Sequence, residues 1–158
     1  MTRVWRISTA AFVRSAFDGE GARLYGGRWN SPGTPLVYCA STASLAVLEM
    51  MVQDQPLRAR YNLIPADIPD DLPIETVAIG QLPKNWRRSD GVASLREIGA
   101  KWLTSGRTAV LRVPSAVLPQ ESNVLIDPRH ADFRRIKTGG PESLEMDSRP
   151  QRNAALRV

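Results

Sequence analysis

Gly26-Gly27-Arg28-Trp29-Asn30-Ser31-Pro32-Gly33-Thr34-Pro35-Leu36-Val37-Tyr38-Cys39-Ala40 is the stretch on which the fold turns. The paired glycines break regular structure and let backbone come close to another group. Arg28-Trp29-Asn30 then sits at a strand edge or its end. Residues 31–35 combine Ser, two Pro and Gly, a turn signal, and residues 36–40 form a short apolar run that reads as a buried strand. Ser41 is the expected N-cap of a helix over residues 42–53. Leu45, Val47, Leu48, Met50, Met51 and Val52 make that helix apolar almost all round, so it is expected to be buried. Glu49 is the only charge between Arg28 and Asp54. It shares a helical stripe with Leu45, Leu48 and Val52.

Outward from this stretch, Val4-Trp5-Arg6-Ile7 alternates as a short strand, and Ser8 or Thr9 opens a helical piece through Phe17. Residues 18–23 read as a glycine-broken loop. Residues 61–64 and 74–79 are strand candidates on either side of a proline-rich loop at 65–73. Ser89-Asp90 precedes a helix through Leu95, Ile98 and Trp102 that ends near Gly106. Residues 108–113 and 123–126 are further β runs, and residues 132–136 a short helix. The sequence turns polar from Gly139, and its end is expected to be mobile. Short strands mixed with few helices predict an α+β fold. At 158 residues the chain is expected to be a single domain spanning 1–158.

Composition narrows function by exclusion. The single cysteine, Cys39, excludes an internal disulfide and a thiolate zinc cluster, and no metal site is expected. No stretch approaches the roughly 20 apolar residues of a membrane span, and the N-terminus lacks a signal-peptide core. Cytoplasm is the expected location. Net charge +5 and pI ≈ 10.0 favour an anionic partner without choosing one. Residues 84–88 are the one basic cluster with an aromatic, sparse for a nucleic-acid surface. Direct nucleic-acid binding is therefore the lesser alternative. His130 is the only histidine, and without a G-x-S-x-G elbow a Ser-His-Asp hydrolase is set aside. Neither a dinucleotide fingerprint nor a P-loop is present.

Six side chains carry the chemical reading, and the first three each have a structural alternative. Glu49, a lone carboxylate in an apolar helix, either pairs with an arginine or backbone N–H groups, or stabilises a positive charge or a sugar hydroxyl. Arg28 offers a planar fork for phosphate oxygens, or else forms an ion pair with Glu49. Tyr38 is either core packing with a satisfied hydroxyl or an aromatic platform for a flat base. Ser122-Asn123 reads as a strand start. Arg6, on an apolar strand, can face either way.

In order along the chain, these segments resemble the RES-domain toxins of bacterial toxin–antitoxin pairs. They are Trp5-Arg6-Ile7-Ser8, then Gly26-Gly27-Arg28-Trp29-Asn30-Ser31-Pro32-Gly33, Val37-Tyr38 and Ser44-Leu45-Ala46-Val47-Leu48-Glu49. Near the end come Glu121-Ser122-Asn123-Val124-Leu125-Ile126-Asp127-Pro128 and His130-Ala131-Asp132-Phe133. The resemblance implies Arg28, Glu49 and Ser122 as the naming residues, with Tyr38 beside them. It also implies a compact ADP-ribosyltransferase-like split β-sheet with flanking helices around a cleft for NAD. Activity would be NAD hydrolysis or phosphorolysis, or ADP-ribosylation of a protein acceptor. An Xre-type helix-turn-helix antitoxin would hold the toxin inactive.

The same resemblance assigns Arg28 and Arg6 to the pyrophosphate, Tyr38 to the nicotinamide ring, Glu49 to the ribose, and Ser122 with Asn123 to its orientation. Gly27, Trp29 and Asn30 line the substrate-binding stretch. One departure is the acidic segment Pro141-Glu142-Ser143-Leu144-Glu145-Met146-Asp147. A toxin acting only by protein binding is the third class, separated from the enzyme by whether toxicity survives Glu49→Ala.

Overall fold

The computed structural model describes residues 1–53 and 59–146. The expected mobile end and Asp147 of the acidic segment lie outside the described residues. Regular elements follow in the order β1 (Thr2–Thr9), α1 (Glu20–Tyr25), β2 (Val37–Ala40), α2 (Ala43–Gln53), β3 (Tyr61–Ile68), β4 (Ile74–Thr76), α3 (Val92–Ser105), β5 (Val110–Pro114), β6 (Ser122–Ile126), β7 (Lys137–Thr138) and β8 (Glu142–Ser143).

The strands form one eight-stranded sheet, ordered β4-β5-β6-β2-β1-β3-β7, with β8 also on β3. All pairs are antiparallel except β4 with β5. Pairing is uneven. β1 runs against β3 from Thr2↔Ile68 to Thr9↔Tyr61, whereas β1 meets β2 at the single pair Trp5↔Ala40. Two ladders are therefore pinned at one point. One buried apolar cluster, including Val4 and Ala66 from one ladder and Val37, Val110, Val124 and Ile126 from the other, holds them together. Each such fully buried aliphatic side chain contributes about 1.5–3 kcal/mol. This is the α+β, split-sheet architecture expected from the sequence.

A second core packs α3 on the face of β5 and β6. It joins Leu95 and Trp102 to Trp29, Leu36, Leu111, Val113 and Leu125. Gly99 lies between Leu95 and Trp102 on the buried side of α3. Any Cβ there would collide with the Trp29 carbonyl, so α3 and the Trp29 segment touch backbone to backbone. Gly106, with φ 59°, ends α3 in the left-handed conformation, as anticipated.

Several local expectations are corrected. Residues 20–25 are helical rather than loop, because Gly19 and Gly26 bound the helix instead of disrupting it. Arg28-Trp29-Asn30 lies outside any strand. The piece after β1 is a 3-10 helix, Ala10–Ser15, without a side-chain cap. Thr42, not Ser41, caps α2, its Oγ1 accepting from Leu45 N–H at 3.0 Å. That helix buries only Leu45, Ala46 and Met50, while Leu48 is 36% and Val52 60% exposed. The Glu49 stripe thus runs from core to surface. β3 continues through Pro65 to Ile68, where a loop was expected. Pro65 carbonyl accepts from Gly139 N–H, so its missing N–H faces the same edge, in the gap between β7 and β8, and no bond to β1 is lost.

Candidate active site

The Arg28 segment is built around Asn30, which is 2% exposed. Its Nδ2 faces the carbonyls of Ala22, Ser31 and Thr34 at 2.9–3.1 Å, which fixes the amide orientation. Oδ1 is thereby free to accept from the Tyr38 hydroxyl at 2.6 Å. The same hydroxyl accepts from Trp29 N–H at 3.0 Å. Burial pushes the Tyr38 phenol above its ordinary value, against the bond from Trp29 and the nearby charges of Arg96 and Arg28. A Cβ on Gly27 would strike that hydroxyl. Arg96 Nε holds the Gly27 carbonyl at 2.9 Å. The Tyr38 hydroxyl, the Trp29 N–H and the Asn30 side-chain amide are all bonded within the protein, which leaves Tyr38 chiefly its ring to offer a ligand.

Glu49 and Arg28 are arranged differently. Neither makes an ion pair among the described residues, so the direct Arg28–Glu49 pair is absent. Half-buried Glu49 instead accepts the Ser115 hydroxyl at 2.7 Å on Oε1. Ser115 is fully buried, and its Oγ also accepts N–H groups from Val117 at 3.1 Å and Leu118 at 3.0 Å. A hydroxyl has one proton and two lone pairs. With both lone pairs taken, its proton is fixed on Glu49. Arg28 Nη1 reaches the carbonyls of Trp86 at 3.2 Å and Arg87 at 3.4 Å. Arg87 Nε binds the carbonyl of Ala116 at 2.8 Å, beside Ser115. Glu49 thus meets this segment directly through Ser115, whereas Arg28 is linked to it only by way of Arg87.

Ser122 opens β6, and its backbone exchanges bonds with Ser41, N–H to Oγ at 3.4 Å and carbonyl from N–H at 2.9 Å. The preceding Glu121 accepts from Thr42 Oγ1 at 2.6 Å. The end of β2, the end of β5 and the start of β6 therefore converge under α2. Asn123 pairs with Ala40 and Val113. Arg6 sits one residue past the Trp5↔Ala40 pin and donates to the Tyr38 carbonyl at 2.9 Å. Its Nε is buried without a hydrogen-bond partner among the described residues. Burial lowers the Arg6 guanidinium, opposed by Cys39 and Asp18.

Sequence reading missed Ser115 and Arg96. Ser115 follows the strand-ending Pro114 as an isolated small hydroxyl, and only the fold brings it to Glu49. Two cavities, of about 520 and 380 Å³, lie elsewhere. The smaller touches Asn30, and neither takes in Arg28, Tyr38, Glu49 or Ser122.

The model of the RES domain family matches residues 3–147. A "Toxin Res" of Photorhabdus laumondii is 38% identical over 149 residues, covering 92% of this chain and 95% of its own. The "Prs ADP-ribosylating toxin" of a Sphingobium strain is 40% identical over 144 residues, covering 86% and 88%. In fold, the chain matches a protein in the crystal structure of the Mycobacterium tuberculosis MbcT–MbcA toxin–antitoxin complex. That match has a TM-score of 0.76 and 23% identity, covering 98% of this chain and 88% of the other. MbcT, named an NAD(+) phosphorylase, is also 36% identical over 66 residues, 36% of each chain. The chain belongs to the RES-domain family, and its full-length relatives named above are toxins.

Proposed function

We propose that this chain is an NAD-consuming toxin that breaks the nicotinamide–ribose bond and depletes NAD in the cytoplasm. ADP-ribosylation and NAD phosphorolysis, the activities named for two of its relatives, both require that bond to break. In the proposed step the C–N electron pair leaves with neutral nicotinamide. The ribose passes through an oxocarbenium-like cation, captured by water or phosphate.

The observation that carries this reading is Glu49, a half-buried carboxylate with no ion-pair partner among the described residues, oriented by a buried serine hydroxyl. A negative charge with no countercharge favours the developing cation and accepts a ribose hydroxyl. Arg28, with Arg6, holds the pyrophosphate as a fork. The Tyr38 ring stacks on nicotinamide, Ser122 and Asn123 orient the ribose, and backbone of Gly27 borders the substrate, with buried Trp29 and Asn30 behind it holding that backbone in place.

A second reading, transfer of ADP-ribose to a protein, is favoured by the likeness to the Sphingobium toxin. Under either reading a cognate antitoxin, of the Xre helix-turn-helix type, keeps the chain inactive. The fold match to MbcT in complex with its antitoxin supports such a partner.

The test is NAD turnover by the purified chain, with free ADP-ribose products and protein-linked ADP-ribose measured in parallel. Glu49→Gln should retain fold and much of the NAD affinity while turnover falls about 10²–10³-fold. Full turnover by that variant would remove Glu49 from its role. Label found only on protein would replace the first reading with the second.

A further inference from the structure

The 520 Å³ cavity lies at the far end of β2 and β6 from Ser122. Pro35, just before β2, and Pro128, just after β6, form part of its wall. Its rim carries Arg14, Arg129 and Arg134, with Asp18 the single carboxylate among its lining side chains. Asp18 is already engaged, accepting from Glu20 N–H at 2.8 Å. Arg129 is steered by Asp127 through Nε at 3.3 Å. Arg14 and Arg134 make no ion pair among the described residues. Phe17 and Phe133 reach the same space and are anchored by packing on the inter-ladder core.

We infer that this cavity is a second ligand site, distinct from the NAD site, and that it takes a mononucleotide. The volume suits a small molecule. Two fixed phenylalanine rings offer an apolar wall for a flat base. Two guanidinium groups without carboxylate partners suit a phosphate dianion, which they grip by charge-assisted bonds. Arg129 is matched by Asp127, so the two unpaired cations, Arg14 and Arg134, over one already bonded carboxylate set the sign of the ligand. The base requirement follows from the rings, since arginines alone would accept any anion. None of these residues has a part in NAD cleavage, so the inference stands or falls separately from the proposed function.

The experiment uses the full chain carrying Glu49→Gln and titrates it by calorimetry with AMP, ribose 5-phosphate and adenosine. AMP is expected to bind saturably and more tightly than either fragment. Arg14→Ala with Arg134→Ala should weaken AMP about tenfold or more, the loss of at least one charge-assisted bond, while Arg28→Ala leaves it unchanged. In the otherwise native chain the same double change should leave NAD turnover unaltered. Binding of ribose 5-phosphate equal to that of AMP would overturn the nucleotide assignment. No saturable AMP binding, or AMP binding lost in Arg28→Ala and kept in the double variant, would overturn the site itself.

Discussion

Two neighbouring regions treat their polar groups in opposite ways. Around Asn30 the Tyr38 hydroxyl, the Trp29 N–H and the Asn30 amide are all bonded to one another or to backbone. By contrast, Glu49, on the Ser115 hydroxyl, and Arg28, on the carbonyls of Trp86 and Arg87, make no ion pair among the described residues. The first arrangement fixes a backbone, because breaking any bond strands a buried partner. The second leaves two charged groups without an ion-pair partner among the described residues, the arrangement that the proposed NAD cleavage uses. The bonded hub and the two charged side chains are thus separate although the sequence places them only one to twenty positions apart.

Substitutions can break this division. The largest effect is expected from Glu49→Gln, a rate loss of about 10²–10³ with the denaturation midpoint unmoved. Activity and unfolding measured on one preparation would check both halves. Asn30→Ala should do the reverse. It strands the Tyr38 hydroxyl and removes a donor from three carbonyls, so stability should drop on the order of 2–4 kcal/mol in urea unfolding. An Asn30→Ala chain as stable as the parent would deny the hub its scaffolding role.

Ser115→Ala joins the two regions. Glu49 keeps its charge but loses its fixed proton donor, so kcat should fall about tenfold with KM little changed. Ser115→Thr, which keeps a hydroxyl at this position, should restore part of the lost rate.

The smallest effect concerns pH. Burial pushes the Cys39 thiol up to about 12 and the Tyr38 phenol above its usual range. Both groups stay neutral in the folded chain while the unfolded chain ionises first. Stability is therefore complete below about pH 8.5 and declines as pH rises past the ordinary thiol and phenol values. Tyr38→Phe should flatten the part of that decline above about pH 10, read from urea midpoints across the range.

The sequence disclosed these regions unequally. Glu49 stood out because a lone charge in an apolar helix is costly, and Arg28 because glycines and a turn surround it. Strands β1 to β6 were legible from short apolar runs, but β7 and β8, two polar residues each, were not, and β3 was cut short at Pro65, since a proline next to a sheet edge looks like a terminator until its neighbours are known. The helix after Gly19 was masked by the glycines that bound it. Burial of α2 was overstated, because Leu48 and Val52 face outward despite being apolar. Ser115 was illegible for a different reason. Its meaning lies in a contact with Glu49 across 66 positions, and no local pattern encodes a bond of that span.

The lone backbone junction at Trp5 and Ala40 leaves the spacing of the two ladders to side chains such as Arg6. A seam of this kind can be widened or narrowed by exchanging residues along one strand, with every register on either side preserved. The spacing of the two ladders is thus set by side-chain packing, the shared apolar cluster included, rather than by a run of backbone bonds.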